Sequence, residues 1–215
     1  MTVLTLLLLL VSCSLQATLT FPPEGNPTAQ AAFRFSAPAL DAWKSLRDLD
    51  PALPVHPFDP AVLQQSLGDQ GRVTSEVGST ILSLPIPDLR KFLPTWKADG
   101  NVWEGTIDRA AVRRWAGLTA WAGSPAVDAL LPAPGTVVSE TEYRDLLVYL
   151  LGPGITETAA RALIDASSVQ LTVEVPRTLR SAPGASLVSG RTAVYRWPLV
   201  RVLTLETPIR IRLQF

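Results

Sequence analysis

Period-two alternation at both ends of the chain constrains its fold more than any other feature. Leu15, Ala17, Leu19 and Phe21 alternate with Ser14, Gln16, Thr18 and Thr20. Side chains two apart share one face of a strand, so this stretch has one apolar and one wet face. Pro22-Pro23-Glu24-Gly25-Asn26-Pro27 is a run of turn formers, after which Ala29, Ala31, Phe33 and Phe35 resume the apolar side. The pattern predicts a β-hairpin with a loop longer than the two-residue kind. Towards the C-terminus, Val169, Leu171, Val173 and Val175 alternate with Gln170, Thr172 and Glu174. Gly190 to Trp197 is a second strand, stopped by Pro198, and Ile209, Ile211, Leu213 and Phe215 alternate with Arg210, Arg212 and Gln214. Strands buried on both faces would be continuously apolar. These are not, so an antiparallel sheet with one covered face is expected.

The middle of the chain reads as the cover. Ser139 followed by Glu142 has capping-box spacing, and Leu146, Leu147, Leu150 and Leu151 follow at helical spacing. Thr156 caps a further helix from Glu157 to Ala166, Asp108 starts another with Val112, Trp115 and Ala116, and Asp59-Pro60 opens one over Ala61 to Leu67. A central strand pair is predicted at Arg72 to Val77 and Thr80 to Ile86. The expected fold class is α+β: an antiparallel sheet from N- and C-terminal strands, covered on one face by central helices. Residues 13–215 form a single domain in this reading, with a helical middle at about 87–166.

Composition removes several functions. Nineteen basic and 19 acidic residues cancel, which leaves no electrostatic footprint for nucleic acid. One cysteine excludes an internal disulfide and any CxxC metal or redox motif. Nineteen prolines imply short elements with firm turns.

The sole cysteine, Cys13, follows Val3 to Val11, a nine-residue and largely apolar segment. That is too short for a spanning helix, which needs about 20 residues, and matches a signal-peptide apolar region. Leu10-Val11-Ser12-Cys13 resembles a bacterial lipobox: an aliphatic residue, a tolerant position, a small residue, then cysteine. Residues 1–12 are then a signal peptide, though Met1-Thr2-Val3 lacks the usual Lys or Arg. The resemblance implies cleavage before Cys13, a diacylglycerol on its thiol and acylation of the new amine. Two or more acyl chains anchor stably where one does not. The other reading is an inert, buried cysteine in an N-terminal strand or helix. Ser14, in place of Asp, leans towards outer-membrane delivery where the host has an outer membrane.

The layout from Leu10 to Cys13, the hairpin from Leu15 to Phe35 and the tail from Ser168 to Phe215 resembles bacterial envelope lipoproteins of the LppM-like kind. It departs from them at Glu24-Gly25-Asn26-Pro27, where such hairpins often carry Asp-Gly. The resemblance implies an address, lipid-anchored on the extracytoplasmic face of a bacterial membrane, rather than an activity.

Catalytic constellations are sparse. His56 is the only histidine, between prolines at 54 and 57. No Gly-x-Ser-x-Gly, Walker A or Gly-x-Gly-x-x-Gly motif occurs. Glu140, Glu142 and Asp145 form an acidic helix start, which the helix dipole explains. Of six tryptophans, Trp96, Trp103, Trp115 and Trp121 cluster in sequence. They read either as core or as a groove or membrane-facing patch. The leading expectation is a non-enzymatic envelope lipoprotein, without cofactor or metal, that binds or organises an envelope protein or lipid. The alternative is a carrier or sensor of an amphiphilic ligand lined by those tryptophans, and a small envelope hydrolase is a distant third.

Overall fold

In a computed structural model, the alternating stretches at both ends become neighbouring strands. The structure describes residues 13–24, 26–35, 44, 61, 64–65, 71–76, 79–85, 95–116, 132, 136–151 and 156–215. The hairpin is β1 (Cys13–Thr20) and β2 (Thr28–Phe35), with Leu15 opposite Phe33 and Leu19 opposite Ala29. The central pair is β3 (Arg72–Glu76) and β4 (Ser79–Pro85), and β4 adds to β2. The C-terminal part supplies β7 (Ser168–Glu174), β8 (Leu187–Ser189) and β9 (Thr192–Pro198). Together they form one seven-stranded sheet in the order β3-β4-β2-β1-β7-β9-β8.

Two features differ from the sequence reading. First, β1 and β7 run parallel, whereas every other pair in the sheet is antiparallel. The connection between them is long, which parallel pairing requires. The register keeps odd residues together: Leu15 with Val169, Ala17 with Leu171, Leu19 with Val173. On the other face it aligns like with like, Ser14 with Ser168, Gln16 with Gln170 and Thr18 with Thr172. One face therefore stays apolar despite the parallel step.

Second, the last strand, β10 (Ile209–Gln214), does not join this sheet. It pairs with β6 (Val102–Ile107), and β6 pairs with β5 (Lys97–Asp99), in a separate three-stranded sheet. The helical middle expected at 87–166 thus contains a hairpin. Its turn is Gly100-Asn101, with Gly100 at φ 51°, a conformation open to glycine without a Cβ penalty. The change of layer before β10 is made by a short helix, α4 (Leu199–Thr204), which ends on Leu205 in the left-handed region at φ 41°.

The two sheets share a core. Leu19, Phe21, Val173, Ala193, Tyr195 and Trp197 from the large sheet meet Ile107, Ile209, Ile211 and Leu213 from the small one. The β10 pattern is the cleanest: Ile209, Ile211 and Leu213 are buried while Arg210, Arg212 and Gln214 are exposed. Ala111 of α1 (Arg109–Ala116) joins this core. The covering layer is therefore a second sheet with α1, as well as helices further along the chain.

Those helices, α2 (Glu140–Leu151) and α3 (Glu157–Ala166), bury a smaller core of their own against α4: Tyr143, Leu147 and Val148 with Ala160, Ile164 and Val200. Of the expected leucine face, Leu147 is buried and Leu146 is exposed, because Tyr143 and Val148 share the inner side. The caps at Ser139, Thr156 and Asp108 form as expected, and Asp59-Pro60 lies outside the described residues. Ser139 and Glu142 bond reciprocally, Ser139 N–H to Glu142 Oε2 at 3.0 Å and Glu142 N–H to Ser139 Oγ at 3.2 Å. Thr156 Oγ1 accepts from Ala159 N–H, and Asp108 Oδ1 accepts from Ala111 N–H at 2.7 Å. Among the described residues no helix is long and apolar enough to cross a membrane.

Candidate functional site

Cys13 is the first residue of β1, opposite Phe35. Leu10, Val11 and Ser12 lie outside the described residues. The next residue, Ser14, sits between Arg34 of β2 and Ser168 of β7. Ser168 in turn faces Pro198 at the end of β9. The N-terminal end of β1 therefore adjoins the start of β7 and the end of β9, where the chain passes to and from helices. Ser167, the C-cap of α3, is buried, and it accepts a backbone bond from Leu199, the first residue of α4, at 3.1 Å. Its hydroxyl donates to Leu163 O. These bonds tie the Cys13 end of the sheet to the helical pair.

The tryptophans divide. Trp96 is buried and stacks on Phe21, with ring centroids 5.3 Å apart. Trp103, half-buried on β6, contacts Phe21 at 4.8 Å, Trp96 at 6.1 Å and Phe215 at 4.9 Å. Trp115 lies in α1, with its backbone alone described, and Trp121 lies outside the described residues. Phe21 follows the eight residues of β1, so this aromatic group stands roughly 26 Å along the strand from Cys13. The structure brings Trp96 and Trp103 together and separates both from Cys13.

Two participants in that group escaped the sequence reading. Arg177 lays its guanidinium over the Phe215 ring at 4.4 Å and donates to Gly100 O at 2.9 Å and Asn101 Oδ1 at 3.3 Å. Gly105 lies beneath the Trp96 indole. A partial signal for the hairpin that carries Gly105 was present: Asp99-Gly100-Asn101 ahead of Val102 and Trp103.

Several acidic residues serve local structure. Glu142 belongs to the capping box, and its bonds from the Ser139 backbone N–H and hydroxyl hold its carboxyl below the ordinary value. Asp145 and Glu157 both engage Arg161, and Asp165 pairs with Arg144. Glu206 Oε2 accepts from the backbone N–H of Glu140 at the start of α2. Glu174 accepts from the Thr20 hydroxyl across the parallel strand pair. Among the described residues no three His, Cys, Asp or Glu side chains gather as a metal site. His56 lies outside them.

No protein-family model matches the chain, and no curated protein matches it significantly. Among solved structures, the NMR structure of the folded domain of the Mycobacterium tuberculosis LppM protein aligns with 94% of this chain and 88% of that chain, at 10% identity and a TM-score of 0.41. At that score the likeness carries no weight for family or function.

Proposed function

We propose that the chain is a lipid-anchored bacterial envelope protein, held to the extracytoplasmic face of a membrane by acyl groups on Cys13. One observation carries this reading. The only cysteine closes a lipobox-like Leu10-Val11-Ser12-Cys13, and that residue lies on β1 of the large sheet. Cleavage before Cys13 would place the acylated residue on β1 itself, with no linker between lipid and sheet. The Cys13 end of the large sheet would then face the lipid surface, and the aromatic group would face away.

The role that fits this geometry is non-enzymatic: binding or organising a partner of the envelope. Asp108 and Glu142 act as caps, Asp145, Glu157 and Asp165 as ion-pair partners and Glu174 as a strand contact, and the paired tryptophans pack against Phe21 and Phe215. A hydrolytic activity abolished by one carboxylate substitution would overturn this role. The anchor is tested by growing the native host with an alkyne-bearing fatty acid. Wild-type protein should carry the label and sediment with membranes, and Cys13→Ser should lose both properties. Equal sedimentation of both proteins without label contradicts it.

A further inference from the structure

Among the described residues, strand β3 ends the large sheet, and its outer edge is held by a side chain rather than a strand. Gln64 Nε2 donates to Gly71 O at 2.9 Å, and Gln64 Oε1 accepts from Val73 N–H at 2.8 Å. One carboxamide thus satisfies a carbonyl and an amide that a neighbouring strand would otherwise take. A free edge is a template for another chain, and proteins commonly block such edges. The bonds also fix which groups face outward. Residues alternate along a strand, so with Gly71 and Val73 facing out, Ser75 does too, while Arg72, Thr74 and Glu76 bond towards β4.

The sequence of this edge, Arg72-Val73-Thr74-Ser75-Glu76, is complementary to itself when reversed. We propose that the β3 edge is a docking strand for a second copy of this chain, gated by the Gln64 carboxamide. Antiparallel pairing about Thr74 sets Val73 opposite Ser75 of the second copy, in the outward-facing, hydrogen-bonding positions. It sets Arg72 opposite Glu76 twice, by two-fold symmetry, and Thr74 opposite itself. Opposite charges directly across a strand pair are favourable, and like charges are not. Such a contact is isologous and closes as a dimer. Arg72 and Thr74 are exposed and Val73 half-exposed, as this requires. Gln64 holds Val73 N–H in the single chain, so docking requires that it swing away. This inference does not depend on the acylation of Cys13.

Disulfide trapping in the full-length protein tests it. Thr74 would lie in a non-hydrogen-bonded pair, with Cα atoms about 4.5 Å apart, within the range a disulfide spans. Thr74→Cys should give a disulfide-linked dimer that the wild-type protein, with Cys13 alone, does not. Adding Gln64→Met, which keeps length and removes both bonds, should raise trapping by about tenfold, the worth of one net hydrogen bond. Adding Arg72→Glu should suppress trapping, and adding Glu76→Arg to that variant should restore it. No dimer from Thr74→Cys, with or without Gln64→Met, overturns the docking strand. Trapping indifferent to Gln64→Met overturns the gate, and trapping indifferent to the charge reversal overturns the register.

Discussion

Gly105 lies directly under Trp96: a Cβ built on its backbone would stand 2.7 Å from Cε3 and 3.3 Å from Cζ3 of the indole. Trp96 is buried and stacked on Phe21, so displacing the ring disturbs that contact. Gly105→Ala therefore overpacks the junction of the two sheets. Loss of about 1–3 kcal/mol is expected on denaturant unfolding, with Trp96 emission shifted in the native state. Unchanged stability would show that the ring moves freely.

Tyr195 supplies an alkaline prediction. It is buried on β9, stacks on Trp197 at 5.6 Å and donates its hydroxyl to Arg212 O of β10 at 3.3 Å, linking the two sheets. Burial pushes its phenol up to about 12, the bond to Arg212 opposing only in part. The unfolded chain loses this proton near 10 and the folded chain keeps it, so the unfolded state binds fewer protons between those values. Stability should fall as pH rises from about 10 to about 12. Tyr195→Phe should reduce that slope and cost about 1 kcal/mol at neutral pH through the lost bond. An unchanged alkaline slope in the variant would contradict the assignment.

The capping box gives the acid counterpart. Glu142 is exposed, and bonds from Ser139 lower its carboxyl below the ordinary 4.5. A depressed folded value means that its contribution is present above about pH 4.5 and lost as pH falls through the folded value. Glu142→Gln should flatten the acid limb of the stability profile. Ser139→Ala should cost about 1 kcal/mol at neutral pH and shift the same limb. The difference between wild type and Glu142→Gln, measured by urea unfolding at several pH values, should vanish at the acid end.

The terminal strands were legible because each has one wet face, and alternation survives in Leu15 to Phe21 and Ile209 to Phe215 whatever the partner. The caps at Ser139, Thr156 and Asp108 were legible because they are local. Partner choice was not. Ser14 to Thr20 and Ser168 to Glu174 share a Ser-x-Gln-x-Thr pattern and pair in parallel, but similar strands carry no mark of direction. The β5–β6 hairpin was hidden by reading residues 87–166 as a helical middle, although Trp103, Gly105 and Ile107 follow period two. Arg177 over Phe215 is a long-range contact with no local signal. At the candidate site, Cys13 was legible from the lipobox pattern, whereas its place as the first residue of β1, beside Ser168 and the helical pair, needed the fold.

Leu213 tests whether the second sheet is structural rather than ornamental. It is fully buried on β10 and packs in the core shared by both sheets. Leu213→Ala should cost about 2–5 kcal/mol, with loss in one cooperative transition. A cost below about 1 kcal/mol, or a separate early transition, would show that the small sheet does not share that core.

The most direct measurement is the intact mass of the protein taken from the membrane fraction of its native host, beside Cys13→Ser. The account predicts a chain beginning at Cys13 and carrying two or three acyl groups, all absent from the serine variant. An unmodified chain that retains residues 1–12 would contradict it.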